Sequence, residues 1–275
     1  MTTSFVSDLI TAPSGAAARL RRVVNGPAVV FGAAILLIWM ATTETGLVGA
    51  AVLPSPAALG TAFVDLVGSA VLWSAVWATL STWIVSLIIA VLLAAVLGVL
   101  LGSSAGLYRA VSGLIEFFRP IPSVAILPLF LLLYGATDST KILLTAYTAF
   151  WPMIVQTIYG VLGTDPVLKD VAATLNLGPV ATRWRIALPS ALPSMAVGFR
   201  IGASVSLILC VTLEIIVGME GLGREIFVAQ SSGATDRMHT LIAVTGLLGW
   251  GVNALFQRVE RATLHWHSAH RNGPR

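Results

Sequence analysis

Few residues of this 275-residue chain are of a type and spacing that could do chemistry. Arg200 stands inside a long apolar run, where a guanidinium is costly unless it faces a cavity or a partner. It reads either as a charge on a solute path or as a snorkelling anchor, about eleven residues (~16 Å) beyond Pro189. Glu214 lies fourteen residues further on, about 21 Å higher and about 40° off that face, so it does not reach Arg200 within one helix. It suits the outer end of the segment and contact with a polar loop. His265, His267 and His270 suggest a metal set, but no Cys or carboxylate completes it, and Trp266 beside them fits an interfacial anchor. Cys210 is the single cysteine and excludes an internal disulfide. No Ser–His–Asp or Cys–His arrangement stands out, and no G-x4-G-K-[ST] phosphate loop occurs. The chain reads as a non-enzyme with no cofactor and no metal of its own, so any energy must come from a partner or an ion gradient.

The elements that hold these residues are set by composition. Hydrophobic residues make up 57% and charged residues 10%, against about 45–50% and 25% in soluble domains. With a mean hydropathy of +0.91, this is an all-α, polytopic membrane protein. The net charge of +4 would suggest nucleic acid in a soluble chain; here the basic residues lie in loops between apolar segments, so it is topological.

The longest polar interval between apolar blocks runs from Asp165 to Pro189. Asp165 suits an N-cap and Pro166 the first helical position. Val167, Leu168, Val171 and Leu175 fall on one stripe at helical spacing. Asn176 suits the left-handed residue that closes a helix, and Gly178-Pro179 forbids immediate continuation. A second amphipathic piece follows, with Arg183 and Arg185 polar and Trp184 and Ile186 apolar. This helix–break–helix is too short and too charged to span a bilayer. Its shape suits docking.

Spans are expected at about 27–43, 77–102, 140–162, 190–213 and 238–256, with 44–76 an external loop carrying an amphipathic segment. Residues 107–135 are ambiguous, because Pro120, Pro122 and Pro128 break a regular helix and 124–134 is short of the roughly 20 residues a span needs. Charge decides it. If Arg19–Arg22 and the Lys169/Arg183/Arg185 loop share one side, an even number of crossings separates them, and 107–135 must be a kinked third span. Twelve of the 16 Lys and Arg residues, Arg109 and Arg119 among them, then face the cytoplasm. Lys141, Arg224 and Arg237 are external and Arg200 is within a span. The expected organisation is a cytoplasmic segment 1–26, one six-helix domain 27–258 containing a loop at 163–189, and a cytoplasmic tail 259–275. Both termini are inside.

From Asp170 the chain reads D-V-A, three residues, Asn176, nine residues, Ile186, one residue, Leu188-Pro189. This resembles the "EAA" loop, E-A-A-x3-G-x9-I-x-L-P, of binding-protein-dependent ABC importer permeases. Asp170, Val171 and Asn176 depart from it in identity while the spacing holds. RPIPSVAILPLFLLLYG, LPSALPSMAVGFRIG, LEIIVGMEGLGREI and GLLGWGVNALFQRVERATLHW resemble, in order, the sulfonate, taurine, nitrate and bicarbonate branch. The resemblance implies a type I ABC importer permease fold of six transmembrane helices. It also implies a permease dimer, two ATPase subunits that bind the ATP, and an external binding protein that chooses the solute. Asp165, Asp170, Ala172, Ala173, Leu175 and Asn176 become the candidate ATPase-coupling residues.

The third and fifth spans are the candidates for lining a solute path. Pro122 and Ser123 represent the third span, and Arg200, Ser204 and Glu214 the fifth. Gly198, Gly202 and Ser206 add small or polar groups that tight apolar packing does not require. Ala94, Gly98 and Gly102 in the second span read as helix packing alone. An ion-coupled carrier or a membrane scaffold is the other class. A carrier should place carboxylates or histidines within its spans, and only Glu116, Glu214 and His239, near span ends, answer that description. A sulfonate is the first solute expected, with nitrate, bicarbonate or a pyrimidine precursor as alternatives.

Overall fold

The computed structural model describes residues 14–49 and 52–263. His265, Trp266, His267 and His270 lie outside them. The chain divides into two compact units, Met1–Ala62 and Phe63–Arg275. In the first, α1 (Ser14–Glu44) is apolar from Val29 onward, where the first span is expected. The Trp39 indole N–H donates to the Pro54 carbonyl at 3.0 Å, folding the following loop back on the helix. α2 (Pro56–Val67) is the short helix expected within that loop.

The second unit is a helical bundle. Its long helices are α3 (Ala70–Gly102), α6 (Asp138–Leu162), α9 (Leu188–Val217) and α11 (Thr235–Thr263). Between them lie α4 (Ala105–Phe118), α5 (Ser123–Tyr134), α7 (Pro166–Thr174), α8 (Pro179–Thr182) and α10 (Leu222–Ser231). A π-helical turn at Arg183–Ala187 joins α8 to α9. The four long helices are each long and apolar enough to cross a membrane. Large side chains such as Trp77, Leu92, Ile208 and Trp250 stand exposed on them, as lipid-facing surfaces require.

Helix α6 is the axis of the bundle because small residues let α3 and α9 close on it. A Cβ on Gly98 would lie 2.6 Å from the Cβ of Thr157, and one on Gly102 would lie 2.7 Å from that of Val161. On the other side Gly202 lies against the Ala149 carbonyl and Gly198 against Gln156. Lipid offers no hydrophobic drive between helices, so close backbone approach supplies the packing energy instead. The glycines of α9 are therefore packing residues after all, which corrects their reading as path residues. Ser206 is also buried, accepting from the Trp83 indole N–H at 3.0 Å.

These contacts fix direction. Thr79 of α3 and Lys141 of α6 meet at one end through Glu214, and Gly102 and Val161 meet at the other. Helices α3 and α6 therefore run the same way, while α9 runs against them. Residues 103–137 must return across the bundle. They do so as α4 and α5, bent by 88°. Their 14 and 12 residues reach about 21 and 18 Å, so neither alone crosses the roughly 30 Å of a hydrocarbon core. The third span exists, as a broken one. Pro120 and Pro122 lie in the break, but Pro128 sits inside α5 without ending it. A single proline leaves only the carbonyl four residues back without its bond, which a membrane helix tolerates.

Candidate functional site

The Asp165–Pro189 loop forms as its local chemistry dictates. The Asp165 carboxylate accepts from the Val167 N–H at 2.9 Å, capping α7, and Pro166 occupies the first turn. At the other end Asn176 has φ 49°, alone among the described non-glycine residues in being positive. The Leu177 N–H bonds to the Ala172 carbonyl at 2.9 Å and the Asn176 N–H to the Ala173 carbonyl at 3.0 Å. That pair of bonds is a Schellman closure with asparagine in the glycine position. Ala172 turns inward and is 3% exposed, whereas Val167, Val171 and Leu175 are 63%, 44% and 64% exposed. Asp170 and Ala173 are also exposed. The stripe seen in the sequence is an apolar face on which Val167, Val171 and Leu175 stay exposed among the described residues. The π-helical turn beyond it shifts the helical phase of α8 against α9, and Trp184 projects there, exposed.

Pro122 and Ser123 come together with α9 at the break in the third span. A cleft of 410 Å³ opens there, walled by Ile201 and Val205 of α9 and by Ser123, Thr148, Trp151 and Gln156. The Ser123 and Thr148 hydroxyls are 2.6 Å apart. Arg119 also lines this cleft. Phe118, next to it, stacks on Trp151 at 6.4 Å, and its carbonyl accepts from Tyr147 Oη at 3.0 Å, which places Arg119 beside the middle of α6 rather than at its end. Trp151 is near the middle of α6. The prolines marked the break, but charge counting carries no information on depth. Arg119, Thr148 and Gln156 went unrecognised for that reason.

Arg200 does not open on this cleft. Its guanidinium pairs with Glu260 of α11 at 3.4 Å, beside a mostly apolar cleft of 290 Å³ walled by Met195, Phe199 and Phe256. Nothing in the sequence links residues 60 positions apart, so this partner was missed. Ser204 is exposed and donates to the Arg200 carbonyl at 3.0 Å, on the face that carries Ile201, Val205 and Ile208.

Glu214 is completely enclosed at the end opposite the loop. It pairs with Lys141 at 2.5 Å and accepts from the Thr79 hydroxyl at 3.0 Å and the Gly223 N–H at 2.9 Å. Lys141 also donates to the Glu220 carbonyl at 2.8 Å, and the Leu222 N–H bonds Thr79 at 2.9 Å. Gly221, at φ 146°, has no room for a Cβ because the Glu214 carboxylate fills that space. Lys141 lies at this end of the bundle, opposite the loop, and is 0% exposed. These bonds fasten the α9–α10 turn to α3 and α6. Among the described residues no group of His, Cys, Asp and Glu could hold a metal.

The chain is a bundle of parallel and antiparallel spans with a capped, outward-facing helical loop at one end. Residues 90–264 match the family model of the binding-protein-dependent transport system inner membrane component, and the chain belongs to that family as a multi-pass inner-membrane protein. It is 32% identical to the putative aliphatic sulfonates transport permease protein SsuC of Escherichia coli K12, over 86% of this chain and 90% of the relative. It is 31% identical to the riboflavin transport system permease protein RibX of Chloroflexus aurantiacus, over 86% and 88%. Its fold is that of an ABC importer permease: it matches a chain of the inward-facing MetNI methionine ABC transporter with a TM-score of 0.62 and 23% identity. That match covers 70% of this chain and 95% of the other.

Proposed function

We propose that this chain is the membrane subunit of an ATP-driven importer, and that a small anion, a sulfonate foremost, crosses through it. The observation that carries the coupling half of this reading is the exposed apolar face Val167–Val171–Leu175 on a helix that both ends hold rigid. Such a face at the watery end of a membrane bundle suits a groove on a soluble partner. The partner is an ATPase subunit that binds the ATP, so this chain needs no cofactor and catalyses nothing itself. A second copy of the chain completes the path, with the exposed face of α9 (Ile201, Ser204, Ile208) turned towards it. An external binding protein delivers the solute to the α9–α10 turn. The loop lies in the cytoplasm, and with α1 as a sixth span both termini lie there too.

The solute class rests on the sulfonate relative and on the resemblance of four ordered motifs, set against a riboflavin relative of nearly equal identity. A cleft of 410 Å³ beside a guanidinium suits a small anion better than a large neutral ring system. An ion-coupled carrier is disfavoured because Glu214, the carboxylate best placed for a relay, is closed in by Lys141, Thr79 and Gly223.

Val171→Glu, Leu175→Glu and Asp170→Lys test the docking. Each should leave the protein in the membrane while lowering ATPase co-purification and solute-stimulated ATP hydrolysis by about tenfold or more, as buried interface anchors do. Normal stimulation in all three would remove the assignment of this loop.

A further inference from the structure

Two arginines lie at membrane depth in this bundle, and only one has a counter-ion. Arg200 pairs with Glu260. Arg119 is exposed in the cleft and has no ion pair or side-chain hydrogen bond among the described residues. Glu116, one turn earlier and itself exposed, lies beyond ion-pair distance.

The depth of Arg119 follows from its neighbour. The Phe118 ring stacks on Trp151, which is thirteen residues from the start of α6 and eleven from its end. Arg119 is therefore about 20 Å from one end of that span and about 17 Å from the other. An unpaired guanidinium at mid-depth persists only where water or a ligand reaches it.

The cleft beside it is rich in donors. The Trp151 indole N–H is buried and has no acceptor among the described residues. The Ser123 and Thr148 hydroxyls and the Gln156 amide complete the polar wall, and no carboxylate lines it. Ile201 and Val205 supply an apolar wall. A small monoanion with several acceptor oxygens and a short apolar remainder matches that set.

We propose that Arg119, rather than Arg200, recognises the anionic head of the solute midway across the membrane. This rests on the permease reading above and deepens it. The break in the third span serves recognition here: it turns Arg119 into the cleft where a continuous helix would carry it past.

The test does not need transport. Ser123→Cys is made on a Cys210→Ser background in the full chain, assembled with its ATPase in membrane vesicles. Its reaction with a sulfonate-bearing and a trimethylammonium-bearing methanethiosulfonate is timed, each rate normalised to that with a free thiol. With Arg119 present the anionic reagent should react about tenfold faster than the cationic one, as a unit charge within several ångströms in a partly hydrated cleft implies. Arg119→Gln should abolish that ratio and Arg119→Lys should keep most of it. Should Ser123→Cys fail to assemble, Thr148→Cys gives the same comparison. No reaction with either reagent, or an unchanged ratio in Arg119→Gln, overturns the proposal. Uptake of a short alkanesulfonate by the unmodified complex is measured separately. Its absence would sink the solute class while leaving the labelling result to judge Arg119.

Discussion

Gly102, the last residue of α3, lies against Val161 near the end of α6, so close that a Cβ would stand 2.7 Å from the valine Cβ. Two consecutive long helices thus finish at the same end of the bundle, and the chain between them must cross back. That crossing separates Ala105 from Asp138. Cysteines introduced at Asp138 or Gly233, on a Cys210→Ser background, should label from outside intact cells. Cysteines at Ala105 or Thr182 should label only after permeabilisation. Labelling of positions 105 and 138 from the same side would refute the broken third span.

The same close approach makes a stability prediction. Gly202→Val pushes branched carbon into the Ala149 carbonyl and Met153, and overpacking of this kind costs about 1–3 kcal/mol. The melting temperature in detergent should fall. Gly113→Ala, where a Cβ meets nothing within 4 Å, should leave it unchanged. Equal melting temperatures for both variants would contradict the packing role.

Lys141 and Glu214 should behave as one unit. Removing either leaves the other charge buried and unpaired, at about 3–5 kcal/mol. Glu214→Leu or Lys141→Met alone should therefore strongly reduce assembled protein. The double substitution should recover much of the loss, read as yield and melting temperature. Additive losses would show that the two residues act separately.

The loop was legible because its causes are local. An aspartate cap, a proline at the first turn and an asparagine closure each act within five residues, and each forms as the residue types dictate. The spans were legible for a similar reason, since an apolar run determines its own backbone bonding. What stayed hidden is non-local. Thr79, Lys141, Glu214 and Gly221 meet across more than 130 positions, and no periodicity joins them. A count of charges per loop carries no information on depth, so it does not show that Arg119 lies beside the middle of α6. Gly198 and Gly202 looked like path residues until α6 was seen pressed against them.

Arg200 and Glu260 make a further paired prediction. Arg200 is 37% and Glu260 14% exposed at the side chain, so solvent screening holds the pair to about 1 kcal/mol. Arg200→Ala and Glu260→Gln should each lower the melting temperature slightly, and the double variant should be no worse than either single one. Exchange of the two residues should restore it. Strict additivity in that cycle would mean that Arg200 is an anchor to the lipid interface.

The most direct measurement of the central account is solute uptake into sealed vesicles holding this chain, its ATPase and its binding protein. The account predicts that a short alkanesulfonate accumulates only with ATP inside the compartment that contains the loop, and that Leu175→Glu abolishes accumulation. Uptake driven by a sodium or proton gradient without ATP, unaffected by Leu175→Glu, would contradict it.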